Sequence, residues 1–158
     1  MFSWAVVLRG STSKVYGIDP YNGDDGEDVK EHSGYSTYNN VMQIMENNTI
    51  TNAEVIVGDS ASISKTWDKT IDILHIEGFH TYETIKAEYD HWLRYLRSNG
   101  TILFHYKQNQ INGPDAYFKE LEENKAGYTL FFEQIGLGLF VEKKDVAEYI
   151  LSMFQSQK

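Results

Sequence analysis

The chain has 158 residues, enough for one domain with a sizeable core. Its 41% hydrophobic and 14% aromatic residues fall in short blocks along the sequence, as in a folded globule rather than a disordered tail. Fourteen Lys and Arg against 23 Asp and Glu leave a net charge of −9, which argues against nucleic-acid binding driven by phosphate electrostatics. The absence of cysteine excludes a disulfide framework, a thiolate metal site and a thiol nucleophile, and it suits a reducing cytoplasm.

In chain order, Phe2 to Leu8 has the composition of the tail of a helix. Its apolar run, Trp4 to Leu8, is too short to span a bilayer and lacks the marks of a signal peptide, so no membrane association is expected. Lys14 to Asp19 reads as a short strand closed by Pro20, and the acidic, glycine-bearing run from Tyr21 to Gly34 reads as a loop. A helix is predicted over Tyr38–Asn48, ended by the Asn47-Asn48 pair. Glu54–Gly58 is a strand, and Asp59-Ser60 after it is a helix start, because short oxygen side chains accept bonds from free amides. The helix that follows is short and breaks around Trp67.

Ile71-Asp72-Ile73-Leu74-His75-Ile76-Glu77-Gly78-Phe79-His80 combines a strand buried on both faces with a turn that releases His75, Glu77 and His80 at its carboxyl end. The apolar residues Ile85, Tyr89, Trp92, Leu93 and Leu96 form one helical stripe over Tyr82–Leu96, with Ser98-Asn99-Gly100 as its terminator at positive φ. Thr101–Tyr106 is the next strand and carries His105 to the same edge as Glu77. Pro114 opens a helix to about Asn124, Tyr128–Ile135 and Leu137–Glu142 form an antiparallel hairpin turning at Gly136, and Asp145–Phe154 closes the chain as a helix. The alternation of strand and helix specifies an α/β fold, a mostly parallel sheet with a C-terminal antiparallel hairpin in a single domain over 1–158. Trp67, Trp92, Phe104, Phe131 and Phe132 are most simply core.

In open α/β sheets ligands bind at the carboxyl ends of the strands. Asp19, Asp59, Ser60, His75, Glu77, His80 and His105 all occupy such ends, and each also has a plainer reading. An aspartate before proline starts a turn, Asp59-Ser60 caps a helix, and a histidine under a loop can simply bond a carbonyl. Glu77, following buried positions, must face a polar cleft, the favoured reading, or pair with a histidine. His75, Glu77 and His80 also suggest zinc and a metal-dependent hydrolase, provided that His75 and Glu77 share a strand face. The acidic run Asp24 to Asp28 lacks the spacing of a calcium loop and reads as solvated, or as a lid.

Taken together, KVYGIDPY, VGDS, DILHIEGFHTYETIKAEYDHWLRYLRSNGTILFH and the IGLGLFVE hairpin resemble a class I S-adenosylmethionine-dependent methyltransferase. The branch is the small group often found beside or fused to glycosyltransferases, and the resemblance covers about Lys14 to Lys143. It implies a Rossmann-like sheet, S-adenosylmethionine as cofactor, and O-methylation of a small hydroxylated or sugar-like acceptor. It places Asp19 at the ribose, Asp59 and Ser60 beside the adenine, and His75, Glu77 and His80 toward the methyl group and acceptor, with His80 or His105 as general base. The family's first strand and glycine-rich loop should precede KVYGIDPY, where only thirteen residues stand, so the first strand is expected to be missing and cofactor binding weak. Relatives commonly read Phe-His-Asp where this chain reads Phe104-His105-Tyr106, and tyrosine is a poor ligand for a hard cation, so no metal is expected. The missing strand also favours an alternative, a catalytically inactive remnant that serves as a binding or assembly module. It leaves sheet edges through which copies could associate, and a glycosyltransferase is the protein partner that the resemblance suggests.

Overall fold

The computed structural model describes residues 2–21, 34–77, 81–105, 114–124, 126–132 and 136–155. Two compact units divide it, residues 1–65 and residues 66–158.

The first unit opens with α1 (Phe2–Val7), followed by β1 (Val15–Asp19), α2 (Gly34–Asn47), β2 (Ala53–Val57) and α3 (Ser60–Ser64). β1 and β2 pair in parallel from Val15↔Ala53 to Asp19↔Val57. Its core is small: Ala5 of α1, Met45 of α2 and Ile50 are buried, with Val15, Val41, Ala53 and Val55 packed around them. Polar bonds tie α1 in place, since Asn52 Nδ2 donates to the Ala5 carbonyl at 2.9 Å and Arg9 donates to the Asn48 carbonyl at 2.8 Å. The chain leaves α2 through Thr49 at φ 53°, one residue beyond the Asn47-Asn48 pair, with Ile50 N–H donating to the Met45 carbonyl at 2.9 Å. A β-branched residue pays a steric penalty in this left-handed conformation.

The second unit holds β3 (Ile71–Ile76), α4 (Tyr82–Trp92), a 3₁₀ turn (Leu93–Tyr95), β4 (Leu96–His105), α5 (Pro114–Glu123), β5 (Tyr128–Phe132), β6 (Leu137–Val141) and α6 (Lys144–Gln155). Its sheet runs β3-β4-β6-β5, with β3 and β4 parallel and β6 antiparallel to both β4 and β5. Gly136, at φ 62°, stands at the start of β6 in the turn where the sequence placed it. Ile76, Ile85, Tyr89, Ile102, Phe104, Tyr117, Phe118 and Phe140 form the core. Within it the Phe104 and Phe118 rings stack at 3.9 Å between centroids. Of the other aromatics read as core, Trp92 is buried, whereas Trp67, Phe131 and Phe132 are half-buried at its margin.

The helix predicted over Tyr82–Leu96 ends at Trp92. The stripe Ile85, Tyr89 and Trp92 is buried as expected, but Leu96 already has extended backbone at ψ 133° and begins β4. Ser98-Asn99-Gly100 therefore lies inside a strand rather than ending a helix, and Gly100 has no positive φ. What Gly100 provides is room: a Cβ there would meet Leu96 Cγ at 2.6 Å. Gly138 does the same more severely, since it faces Phe104 across the β4/β6 ladder and its Cβ would sit 2.1 Å from the Phe104 ring.

The α/β architecture with parallel strands and a C-terminal antiparallel hairpin is the expected one. Among the described residues no strand precedes β1: the segment before it is α1 and a turn. β1 pairs only with β2 and β3 only with β4, so each keeps one edge without a ladder among the described residues.

Candidate functional site

In the first unit the parallel register brings the carboxyl ends of β1 and β2 together: Asp19 is level with Val57, and Gly58 N–H donates to the Asp19 carbonyl at 3.1 Å. Asp19 is exposed, and one carboxylate oxygen, Oδ1, accepts from Tyr21 N–H at 2.6 Å. That bond is the turn-starting role anticipated for an aspartate before proline. It does not exhaust the group, because an ionised carboxylate offers about four lone-pair sites. The turn holds Tyr21 at φ 51°, with its ring edge-on to Tyr38 at 5.4 Å. Residues held in such sparsely populated backbone regions concentrate where ligands bind.

Asp59 is the N-cap of α3, its Oδ1 accepting from Ser62 N–H at 3.0 Å, and Ser60 is the first helical residue. The hydrogen bonds from Ser62 hold the Asp59 carboxyl below its ordinary range. Capping thus accounts for Asp59 locally, and the residue stands just after the carboxyl end of β2.

In the second unit the parallel pairing of β3 and β4 sets His75 opposite Leu103 and Ile76 opposite Phe104, so Glu77 and His105 both follow at the same end. His75 Nε2 lies 3.3 Å from Glu77 Oε1, which shows that the two side chains share one face of the chain. Glu77 has 67% of its side-chain surface exposed. It is at once solvated and paired to a histidine, where the sequence favoured a cleft alone. Burial holds the His75 imidazole below its ordinary pKa; Glu77 opposes that shift and nearby His105 adds to it. The imidazole is therefore neutral at neutral pH, and the carboxylate favours the tautomer with its proton on Nε2.

His80, Tyr106 and the acidic run Asp24 to Asp28 lie outside the described residues. Among the described residues no three His, Asp or Glu side chains gather closely enough to hold a metal ion, and no helix is long and apolar enough to cross a membrane. Sequence reasoning passed over the device that starts α4 just after His80. Thr81 Oγ1 accepts from Thr84 N–H at 3.3 Å while Thr84 Oγ1 accepts from Thr81 N–H at 2.9 Å, a reciprocal cap built from two threonines rather than the threonine–glutamate pair usually sought. A cleft of about 270 Å³, lined by Asp68, Lys69, Thr70, Arg94, Tyr95 and Leu96, lies at the amino ends of β3 and β4. The histidines and Glu77 lie at the opposite ends.

In each unit, then, acidic or histidine side chains stand at the carboxyl ends of a parallel strand pair of an α/β fold. The chain belongs to the methyltransferase-domain family, whose model matches residues 1–105. An uncharacterized protein of Sinorhizobium fredii, y4gI, is 26% identical over 157 residues; the match covers 93% of this chain and 16% of that protein. Three solved structures have a similar fold. The O-methyltransferase NovP has a TM-score of 0.63 at 14% identity, over 89% of this chain and 66% of its own. CalS11, a TDP-rhamnose 3'-O-methyltransferase of calicheamicin biosynthesis, has a TM-score of 0.60 at 12% identity, over 88% of this chain and 65% of its own. MycE, a methyltransferase of mycinamycin biosynthesis solved with Mg and SAH, has a TM-score of 0.51 at 12% identity, over 89% of this chain and 48% of its own. The chain thus spans less than two thirds of the length of these proteins.

Proposed function

We propose that the chain is an S-adenosylmethionine-dependent methyltransferase domain that O-methylates a small hydroxylated or sugar-like acceptor in the cytoplasm, and that it binds its cofactor weakly by itself. The observation that carries this reading is the order of side chains at the strand ends of a methyltransferase-family chain: Asp19 after β1, Asp59-Ser60 after β2, and His75, Glu77 and His105 at the ends of β3 and β4. Asp19 suits the ribose, since its carboxylate is exposed and keeps acceptor capacity beyond the bond to Tyr21. Asp59 and Ser60 suit the adenine edge. Among the described residues ahead of β1 stand α1 and a turn, which hold no glycine-rich loop to receive the methionine carboxylate.

When bound, S-adenosylmethionine supplies an electrophilic methyl group. His105, exposed at the end of β4, or His80 takes the proton of the acceptor hydroxyl, while Glu77 holds the neutral His75 ring beside it. Positioning supplies most of the acceleration and the base adds roughly 10²- to 10⁴-fold. Among the described residues Glu77 is the one carboxylate at the carboxyl ends of β3 and β4, and alone it would hold magnesium weakly. NovP is named an O-methyltransferase and CalS11 a TDP-rhamnose 3'-O-methyltransferase, which supports the choice of a hydroxyl acceptor, and a partner glycosyltransferase would supply glycosylated products that carry such hydroxyls.

A thermal-shift titration with S-adenosylmethionine and its demethylated product tests the reading, since a ligand that binds only the folded state raises Tm. The expected result is stabilisation that saturates well above micromolar ligand and falls roughly tenfold further in Asp19→Ala. Absence of any stabilisation at millimolar ligand would overturn it. The second reading, an inactive remnant serving as a binding or assembly module, rests on the segment before β1 being helix rather than strand. Saturation at micromolar ligand would remove it.

A further inference from the structure

The cleft at the amino ends of β3 and β4 lies at the far end of those strands from the histidines, and its walls are built as a site. Its lining, Asp68, Lys69, Thr70, Arg94, Tyr95 and Leu96, comes from two segments that the pairing of Ile71 with Leu96 brings together. Lys69 and Arg94 outnumber Asp68, so the lining carries a positive surplus on a chain of net charge −9. Its volume of about 270 Å³ is close to the lower end of ligand pockets, roughly 300–1,000 Å³.

Aromatic contacts fix both walls. Trp92, buried at the end of α4, meets the Trp67 ring edge-on at 5.4 Å and the Tyr95 ring at 6.0 Å, so the two segments are anchored to one buried ring. Trp67 Nε1 donates to the Lys69 carbonyl at 2.8 Å, which fixes the backbone that carries the ammonium. Each cation lies near an aromatic face: Lys69 Nζ is 5.1 Å from the Trp67 centroid, and the Arg94 guanidinium carbon is 4.8 Å from that of Tyr95. Leu96 is held from behind by an irregularity of the ladder. Between the pairs Ile71↔Leu96 and Ile73↔Thr101, Asp72 of β3 faces Arg97-Ser98-Asn99-Gly100 of β4, a large bulge clamped by the 2.8 Å ion pair of Arg97 with Asp72. Gly100 lets the bulge close on Leu96, since a Cβ there would stand 2.6 Å from Leu96 Cγ. Bulges concentrate at sheet edges and beside functional sites.

We propose that this cleft binds a small phosphorylated hydroxyl compound, such as a sugar phosphate, with the phosphate at Lys69 and Arg94 and the hydroxyls toward Asp68, Thr70 and Tyr95. A guanidinium has five donors, more than a contact with one ring uses, and its planar fork matches two phosphate oxygens at once. The 2.8 Å ion pair of Lys69 with Asp68 is no obstacle, because Asp68 is 81% exposed and such surface pairs contribute little. Asp68 also selects the rest of the ligand. A carboxylate beside two cations repels a molecule that is anionic throughout, such as a polyphosphate or an acidic peptide, and it accepts hydrogen bonds from the hydroxyls of one with a single anionic end. Leu96 and the Tyr95 ring suit the carbon skeleton of such a molecule. The site stands or falls apart from the cofactor reading, since it shares no residue with it.

Amide NMR titration of the whole isotopically labelled chain with glucose 6-phosphate, inorganic phosphate and glucose, at roughly 50 mM salt to limit screening, reads the cleft residue by residue. The expected result is saturable shifts of the Lys69, Thr70, Tyr95 and Leu96 amides with glucose 6-phosphate at a Kd of about 1 mM, binding of inorganic phosphate about tenfold weaker, and no binding of glucose. Lys69→Gln and Arg94→Gln, both at exposed positions, each raise the Kd roughly tenfold by removing a charged hydrogen bond. Lys144→Gln on α6, the same loss of charge elsewhere in the unit, leaves it unchanged. No saturation up to about 20 mM glucose 6-phosphate overturns the inference, and so does an affinity that falls as far in Lys144→Gln as in the cleft variants. Equal binding of inorganic phosphate and glucose 6-phosphate marks an adventitious ion only, and equal binding of glucose removes the role of the cations; either result overturns it.

Discussion

The two units rest on very different foundations. The first rests on a two-stranded parallel sheet and three buried apolar residues, with its candidate ligand groups, Asp19 and Asp59, exposed and held by local turns and caps. The second rests on a four-stranded sheet and an aromatic cluster in which Tyr89, Phe104, Tyr117, Phe118 and Phe140 touch ring to ring. Two strands seldom support themselves in water, whereas four strands backed by helices do. The unit that carries Asp19 and Asp59 is therefore the weakly built one, and the unit that carries His75, Glu77 and His105 is the strongly built one. A ligand that binds only the folded first unit stabilises it by an amount set by its concentration relative to Kd, so a weakly bound one shows its effect only well above micromolar.

The sharpest way to break this contrast is to damage the strong unit. Phe118→Ala removes a fully buried ring stacked on Phe104 and should cost about 3–5 kcal/mol, enough to unfold most of a marginally stable domain, as read from urea denaturation. If it costs no more than Met45→Ala in the first unit, the two cores are equivalent and the comparison fails. Gly138→Ala should cost about 1–3 kcal/mol by overpacking, since the added methyl meets the Phe104 ring; Phe104→Leu in the same chain should recover part of the loss. Native-state hydrogen exchange should show β1 and β2 amides opening at lower free energy than those of β4 and β6.

Titration gives a gentler test within the second unit. The folded pKa of His75 lies below 6.5, so the unfolded chain takes up that proton first as the solution is acidified. The stability this group contributes is full above pH 6.5 and is lost as pH falls through the lower folded value, and His75→Gln should flatten that part of the profile. At the alkaline end burial pushes the Tyr89 hydroxyl up to about 12, so its contribution is full below pH 10 and is lost between pH 10 and about 12. The smallest expected effect is a gain in the weak unit. Thr49→Gly relieves a left-handed β-branched residue and should stabilise the chain by about 0.5–1 kcal/mol in thermal unfolding.

Elements whose signal is local were legible in the chain itself. Ile71–Ile76 reads as a strand because its apolar run is short and bounded, and the buried stripe Ile85, Tyr89, Trp92 reads as a helix because one face repeats every three or four residues. The positions of Asp19, Asp59, Glu77 and His105 at strand ends follow from those same boundaries, as does the N-cap role of Asp59. Residues 1–105 also suffice to place the chain in its family.

Only the tertiary structure decided the rest, because it depends on segments distant in sequence meeting at ångström range. Leu96 belongs to β4 rather than to α4 because the strand it begins finds a partner in β3, and that pairing outweighs the helical pattern running up to it. Gly100 and Gly138 are required by neighbouring side chains rather than by backbone torsion, and no local pattern reveals a ring that arrives from another strand. The bond between His75 and Glu77 needed the strand to remain regular past Ile76, which the glycine following them left open. Local periodicity specifies which face of an element is apolar, and only assembly specifies what that face, or a free edge, finally meets.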